Sequence, residues 1–143
     1  MATSEDAIIL SALLHHLETL VLSPALPIAH PGVPFPLAGQ VLPRNYLAVT
    51  FIPNKTERLT LGDEPQLKNG MLQISVFWGA NEGLIKPLDV AGRIISHFNN
   101  ARFVASGVRI AIVGEPWSAP PIQTVDRTNT PVTIDYRALG PER

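Results

Sequence analysis

The sequence predicts an α+β fold: a mainly antiparallel sheet with two helices packed on one of its faces. Three observations carry that prediction. Two segments repeat apolar residues at helical spacing. Several other runs alternate apolar and polar residues with the period-two pattern of strands that bury one side. The order along the chain is helix, strands, helix, strands, which places helices on one side of an antiparallel sheet. The 143 residues fit one domain, residues 1–143, with a proline-rich arm or loop at about 24–43.

The first helix is predicted from Ser4 to Leu22. Thr3 or Ser4 can cap its free N–H groups, and Glu5 and Asp6 suit the positive end of its dipole. Leu10, Leu13, Leu14, Leu17, Leu20 and Val21 supply the helical repeat, and Ser23-Pro24 ends it. Six prolines between Pro24 and Pro43 forbid a helix there and disfavour a central strand. A short edge strand is expected at Ala25–Ala29, then an extended arm with a turn at Pro31-Gly32.

Tyr46–Phe51 alternates as a strand, and Pro53-Asn54 turns the chain. A short strand follows at Arg58–Leu61, a loop at Gly62–Pro65 and a turn at Lys68-Asn69-Gly70. In Met71–Trp78, Leu72, Ile74, Val76 and Trp78 share one face. Met71, Gln73, Ser75 and Phe77 share the other. Pro87 and Asp89 suit the start of a second helix with the stripe Leu88, Ala91, Ile95 and Phe98. Asn99-Asn100 stops it. Val108–Val113 is a further strand, broken by Glu115-Pro116-Trp117 and Ala119-Pro120-Pro121. Val132–Arg137 is the last.

Composition narrows the function. Charged residues make up 16% of the chain, below the usual ~25%, and apolar residues 45%. So few charges favour an oligomer that hides apolar surface between subunits. A net charge of −1 without a Lys/Arg run gives no nucleic-acid footprint. The chain has no cysteine, which excludes disulfides and thiolate metal sites. Ala7–Leu22 is too short and too interrupted to span a bilayer. The acidic N-terminus has the wrong sign for a signal peptide, so a cytoplasmic compartment is expected.

Catalytic chemistry is nearly absent from the sequence. Gly79-Ala-Asn-Glu-Gly83 lacks the Gly-Lys-Ser/Thr of a P-loop, and no serine sits in a Gly-x-Ser-x-Gly elbow. His15 and His16 are neighbours on a helix and point about 100° apart, so they do not readily share a metal. The simpler reading places one at the core edge and one in solvent, with His97 structural and His30 exposed. Asp63-Glu64 reads as a solvated turn rather than a carboxylate pair. Trp78 belongs to the core by its position in the alternation. Trp117 suits core or interface equally. No catalytic, cofactor-binding or metal site is therefore assigned, and the expected class is structural rather than enzymatic. A small enzyme or ligand-binding domain would have to use His15, His16 and Asp135.

The run from Tyr46 to Asp63 resembles a family of small tailed-phage and prophage proteins. Gly70–Trp78, Gly83-Leu-Ile-Lys-Pro-Leu88, Ala91–Phe98 and Pro131–Arg137 extend the resemblance over roughly residues 44–138. The element order is also similar to that of lambda-type tail terminators. The resemblance implies a small α+β protein that closes into a hexameric ring, caps the tail tube and joins the tail to the head–tail connector, or neck. Its implied partners are copies of itself, the tail tube protein and the neck protein. DNA would meet it only in passing through the lumen, and no membrane is involved. It would reside in the virion of a siphophage or phage-like particle, after assembly in the host cytoplasm. A head-completion or minor tail protein is the alternative within the virion. Contact residues expected on this reading are Asn54, Lys55, Glu57, Arg58, Asp63 and Glu64 in the hairpin region. Arg109, Asp135 and Arg137 are expected on the strands.

Overall fold

Alternating apolar residues in the longest strands give the sheet one face that must be covered, and the helices cover it. The computed structural model describes residues 5–22, 26–33, 35, 41, 43–53, 57–58, 66–80 and 82–139. The elements are α1 (Glu5–Glu18), β1 (Ile28–Ala29), β2 (Tyr46–Pro53), β3 (Glu57–Arg58), β4 (Gln66–Gly79) and α2 (Ile85–Phe98). They continue with β5 (Arg102–Ala105), β6 (Val108–Ile112), β7 (Trp117–Ser118), β8 (Ile122–Gln123) and β9 (Arg127–Leu139). The strands form one sheet in the order β1-β2-β4-β9-β6-β5, with β3 paired to β4 and β7 and β8 paired to β9. Every pairing is antiparallel except β1 with β2. The fold is thus α+β with a mostly antiparallel sheet and two helices.

The centre of the sheet is the β4–β9 pair, in register from Leu67 opposite Leu139 to Gly79 opposite Arg127. Leu72, Ile74, Val76 and Trp78 on β4 are buried, as are Val132, Ile134, Tyr136 and Ala138 on β9. The helices bury Ile9, Leu13 and Leu17 from α1 and Ala91, Ile94 and Phe98 from α2 in the same core. Burying a side chain of this size stabilises the fold by roughly 1.5–3 kcal/mol.

Several local expectations change. Helix α1 ends at Glu18, four residues before the predicted stop. Lys68-Asn69-Gly70 is not a turn but the first part of β4. Gly70 is required by packing: a Cβ there would lie 2.6 Å from the Ile52 carbonyl oxygen and 2.7 Å from the Tyr136 hydroxyl. Helix α2 starts at Ile85 and holds Pro87 in its first turn, as expected. It buries Pro87, Ala91, Ile94 and Phe98, whereas Leu88 from the predicted stripe is exposed. Residues 102–105 form a strand that periodicity alone did not identify. It joins β6 through Ser106-Gly107, both at positive φ, as the tightest hairpin turns require. The predicted strand at Arg58–Leu61 is observed as Glu57–Arg58, and residues 59–61 lie outside the described residues. Of the expected edge strand at Ala25–Ala29, Ile28 and Ala29 pair with β2 at the rim of the sheet.

The last third of the chain is organised around β9. β6, β7 and β8 run in succession along the edge of β9 that β4 leaves free. The breaks between them hold Pro116 and then Pro120-Pro121, which cannot donate to the ladder. The described parts of the proline-rich segment return to the body of the protein. The Phe35 ring lies 5.0 Å from that of Tyr46, and Arg127 donates to the carbonyl oxygens of Pro43 and Arg44.

Candidate functional site: the open face of the sheet

The face of the sheet opposite the helices is the candidate site. Alternation puts Val104 on β5, Arg109 on β6, and Asp135 and Arg137 on β9 on this open side. Their neighbours Val108, Ile110, Ile134 and Tyr136 point into the core. Directly opposite residues on paired strands share a face. Arg102 and Arg137 therefore flank Ala111 in a single cross-strand row. Arg109 stands in the next row, between Val104 and Leu139. The row spacing places the backbones of Arg102 and Arg137 about 10 Å apart. Arg102, Val104, Arg109 and Arg137 line a shallow depression of about 610 Å³ together with Ala111 and Leu139. No arginine of the three forms an ion pair or side-chain hydrogen bond among the described residues.

Further along the same face the chemistry changes. Trp117 lies opposite Thr133 and Ile122 opposite Asn129, so both point to the open side. They are 53% and 54% exposed, beside Val113 and the turn residue Val125. Glu115 and Asp126 are exposed within this stretch. The open face thus carries three arginines at one end and, at the other, exposed apolar side chains with Glu115 and Asp126 beside the half-buried Arg127.

Three predicted contact residues, Arg109, Asp135 and Arg137, are brought together here. Glu57 and Arg58 lie elsewhere, on β3 against the first residues of β4. Asn54, Lys55, Asp63 and Glu64 lie outside the described residues. Arg102, Val104, Glu115 and Ile122 were not singled out from the sequence. The Ser106-Gly107 turn and the Val108–Ile112 alternation were the signals that could have found the first two.

The histidines occupy the other side of the sheet. His16 and His97 stack at 4.1 Å between ring centroids. His16 Nε2 donates to the His97 carbonyl oxygen at 2.8 Å, and His97 Nε2 donates to that of His16 at 2.7 Å. A carbonyl oxygen only accepts, so both rings carry the Nε2 hydrogen. The pair ties the C-terminal turns of the two helices together. Burial lowers the His16 pKa; its bond to the His97 backbone opposes this, and the charges of His97 and His15 lower it further. His15 is exposed. Asp135 projects from the opposite face of the sheet, so His15, His16 and Asp135 do not converge. Among the described residues no group of three or more histidine or acidic side chains is placed to hold a metal ion, and no helix is long and apolar enough to cross a membrane.

This combination of one sealed sheet face and one mixed apolar and charged face defines a protein with a surface suited to contact. The chain belongs to the phage tail terminator family: the family model described as phage tail terminator protein matches residues 8–136. It is therefore a structural protein of the phage tail. One solved structure is similar over 96% of this chain and 96% of its own, with a TM-score of 0.77 and 22% sequence identity. At that identity the likeness shows the fold. No curated protein matches the sequence.

Proposed function

We propose that this chain is the terminator that closes the tail: copies assemble into a hexameric ring that caps the tail tube and joins the neck. The family match over residues 8–136 carries this reading. The open sheet face and the low charge content support it, because a ring needs surface that neighbouring subunits can cover. Different patches meeting head to tail close into a ring when the rotation between copies permits. On this reading residues 1–143 act as one folded unit. DNA crosses the lumen without sequence-specific contact, and assembly takes place in the host cytoplasm. The hairpin residues Asn54, Lys55, Glu57, Arg58, Asp63 and Glu64 contact the tail tube or a neighbouring subunit. Arg109, Asp135 and Arg137 contribute from the sheet.

Deleting the gene tests the reading. Tails of abnormal length that fail to join heads are expected; tails of normal length that join heads overturn it. Purified chain bound to tail tubes is expected as a species near six times the 15.5 kDa chain mass. A single copy per tube end would reject the ring.

A further inference from the structure

We infer that the arginine patch of one copy receives the acidic, apolar edge of a second copy, so that these two surfaces form the contact between subunits. The inference rests on the ring reading and adds its residues. The basic patch is Arg102, Arg109 and Arg137, with Val104 standing beside them at 73% exposed. The acidic edge is the β7–β8 stretch, residues 113–126, which contains Glu115 and Asp126 and no lysine or arginine; the next residue, Arg127, is turned to the carbonyl oxygens of Pro43 and Arg44. Its Trp117 and Ile122 are half exposed, and its Val125 is 94% exposed. Neither Glu115 nor Asp126 forms an ion pair among the described residues. Each surface thus has exposed apolar side chains and charges, of opposite sign, that form no ion pair among the described residues.

Charge decides which partner fits. A nucleic acid would meet Asp135 one row from Arg137 and the acids of the adjoining edge. It would also leave Val104, Trp117 and Ile122 in water. A protein surface uses both properties: Trp and Arg are enriched in interface cores, and complementary charge fixes register. The partner with the matching composition on hand is this chain itself. The two surfaces differ, so the contact is head to tail.

Charge reversal on each side provides the test. One variant is Arg109→Glu with Arg137→Glu; the other is Glu115→Lys with Asp126→Lys. All four positions are exposed, so melting temperatures are expected to stay near wild type, which separates lost contact from lost fold. Native mass spectrometry of the full chain should show each variant assembling at least about tenfold more weakly than wild type. A 1:1 mixture of the two variants should recover assembly, because each reversed surface then meets its opposite on the other variant. Unchanged assembly in both variants overturns this contact and leaves the ring reading standing. Failure of the mixture to recover overturns the pairing of these two surfaces. A wild-type species that stops at a dimer both free and on tail tubes overturns the ring, and a wild type that is monomeric both free and on tail tubes overturns both. Wild-type binding to a duplex oligonucleotide that is lost in Arg109→Glu with Arg137→Glu, with assembly intact, assigns the patch to nucleic acid instead.

Discussion

The two faces of the sheet are made by the same strands and obey opposite rules. On the covered face Leu72, Ile74, Val132, Ile134 and Tyr136 are almost wholly removed from water beneath α1 and α2. On the open face Asp135 and Arg137, which alternate with the core residues of β9, and Arg109, which alternates with Val108 and Ile110 on β6, stay in solvent. A side chain on one face is held by its neighbours in the fold. One on the other has few partners among the described residues. Stability and assembly should therefore separate by face, and substitutions can test how cleanly they do.

The largest effect is expected from the covered face. Ile134→Ala removes a fully buried side chain at the sheet centre and should cost about 2–5 kcal/mol in urea unfolding. A cost as small as that of a surface substitution would mean the core is not where the alternation puts it. Gly70→Ala comes next. Its methyl group would collide with the Ile52 carbonyl and the Tyr136 hydroxyl, and overpacking of this kind costs about 1–3 kcal/mol. Unchanged stability would show that the strand shifts aside without penalty.

The pH dependence tests the clasp between the helices. The His16 pKa is lowered in the folded state from an ordinary 6.5, so the unfolded chain takes up the proton first. The stability this gives is present above pH 6.5 and is lost as pH falls from there through the lowered folded value. The urea midpoint of the wild type should drop between pH 7 and pH 5 more than that of His16→Phe. Parallel profiles would remove His16 from the account. A second reporter lies under the sheet. Burial, with the charge of Asp6 adding to it, pushes the Tyr136 phenol up to about 12. Ultraviolet titration should therefore show this tyrosine ionising well after ordinary phenols. Ionisation near pH 10 would mean water reaches the ring.

The smallest stability effect belongs to the open face. Trp117→Ala should change unfolding by less than about 1 kcal/mol, because half the ring is already in water. A loss comparable to Ile134→Ala would place Trp117 in the core and erase the contrast between faces.

Much of the covered face was legible in the sequence. The period-two runs in Met71–Trp78 and Val132–Arg137 identify which residues turn inward, because side-chain direction in a strand is a local property. The second helix was legible for the same reason, although its buried stripe includes Ile94 and leaves Leu88 exposed. Gly70 was misread because a glycine in a turn and a glycine under a packed tyrosine look alike until the partner strand is placed. Likewise, Pro116, Pro120 and Pro121 look like the end of structure. They are breaks within one edge that keeps returning to β9.

The contact face was legible only in pieces. Arg109, Asp135 and Arg137 could be picked out as outward-pointing charges, but nothing local relates Arg102 to Arg137 across 35 positions of chain. The sequence by itself determined the class of fold and the direction of the side chains in the strongly alternating runs, both of which follow from short-range periodicity. Only the tertiary structure decided which strands are neighbours. Register across β5, β6 and β9 gathers three arginines at one end of a face, and the interrupted edge sets the acids and Trp117 at the other. Strand pairing joins residues far apart in sequence through backbone hydrogen bonds that any side chain permits, so no local pattern announces it.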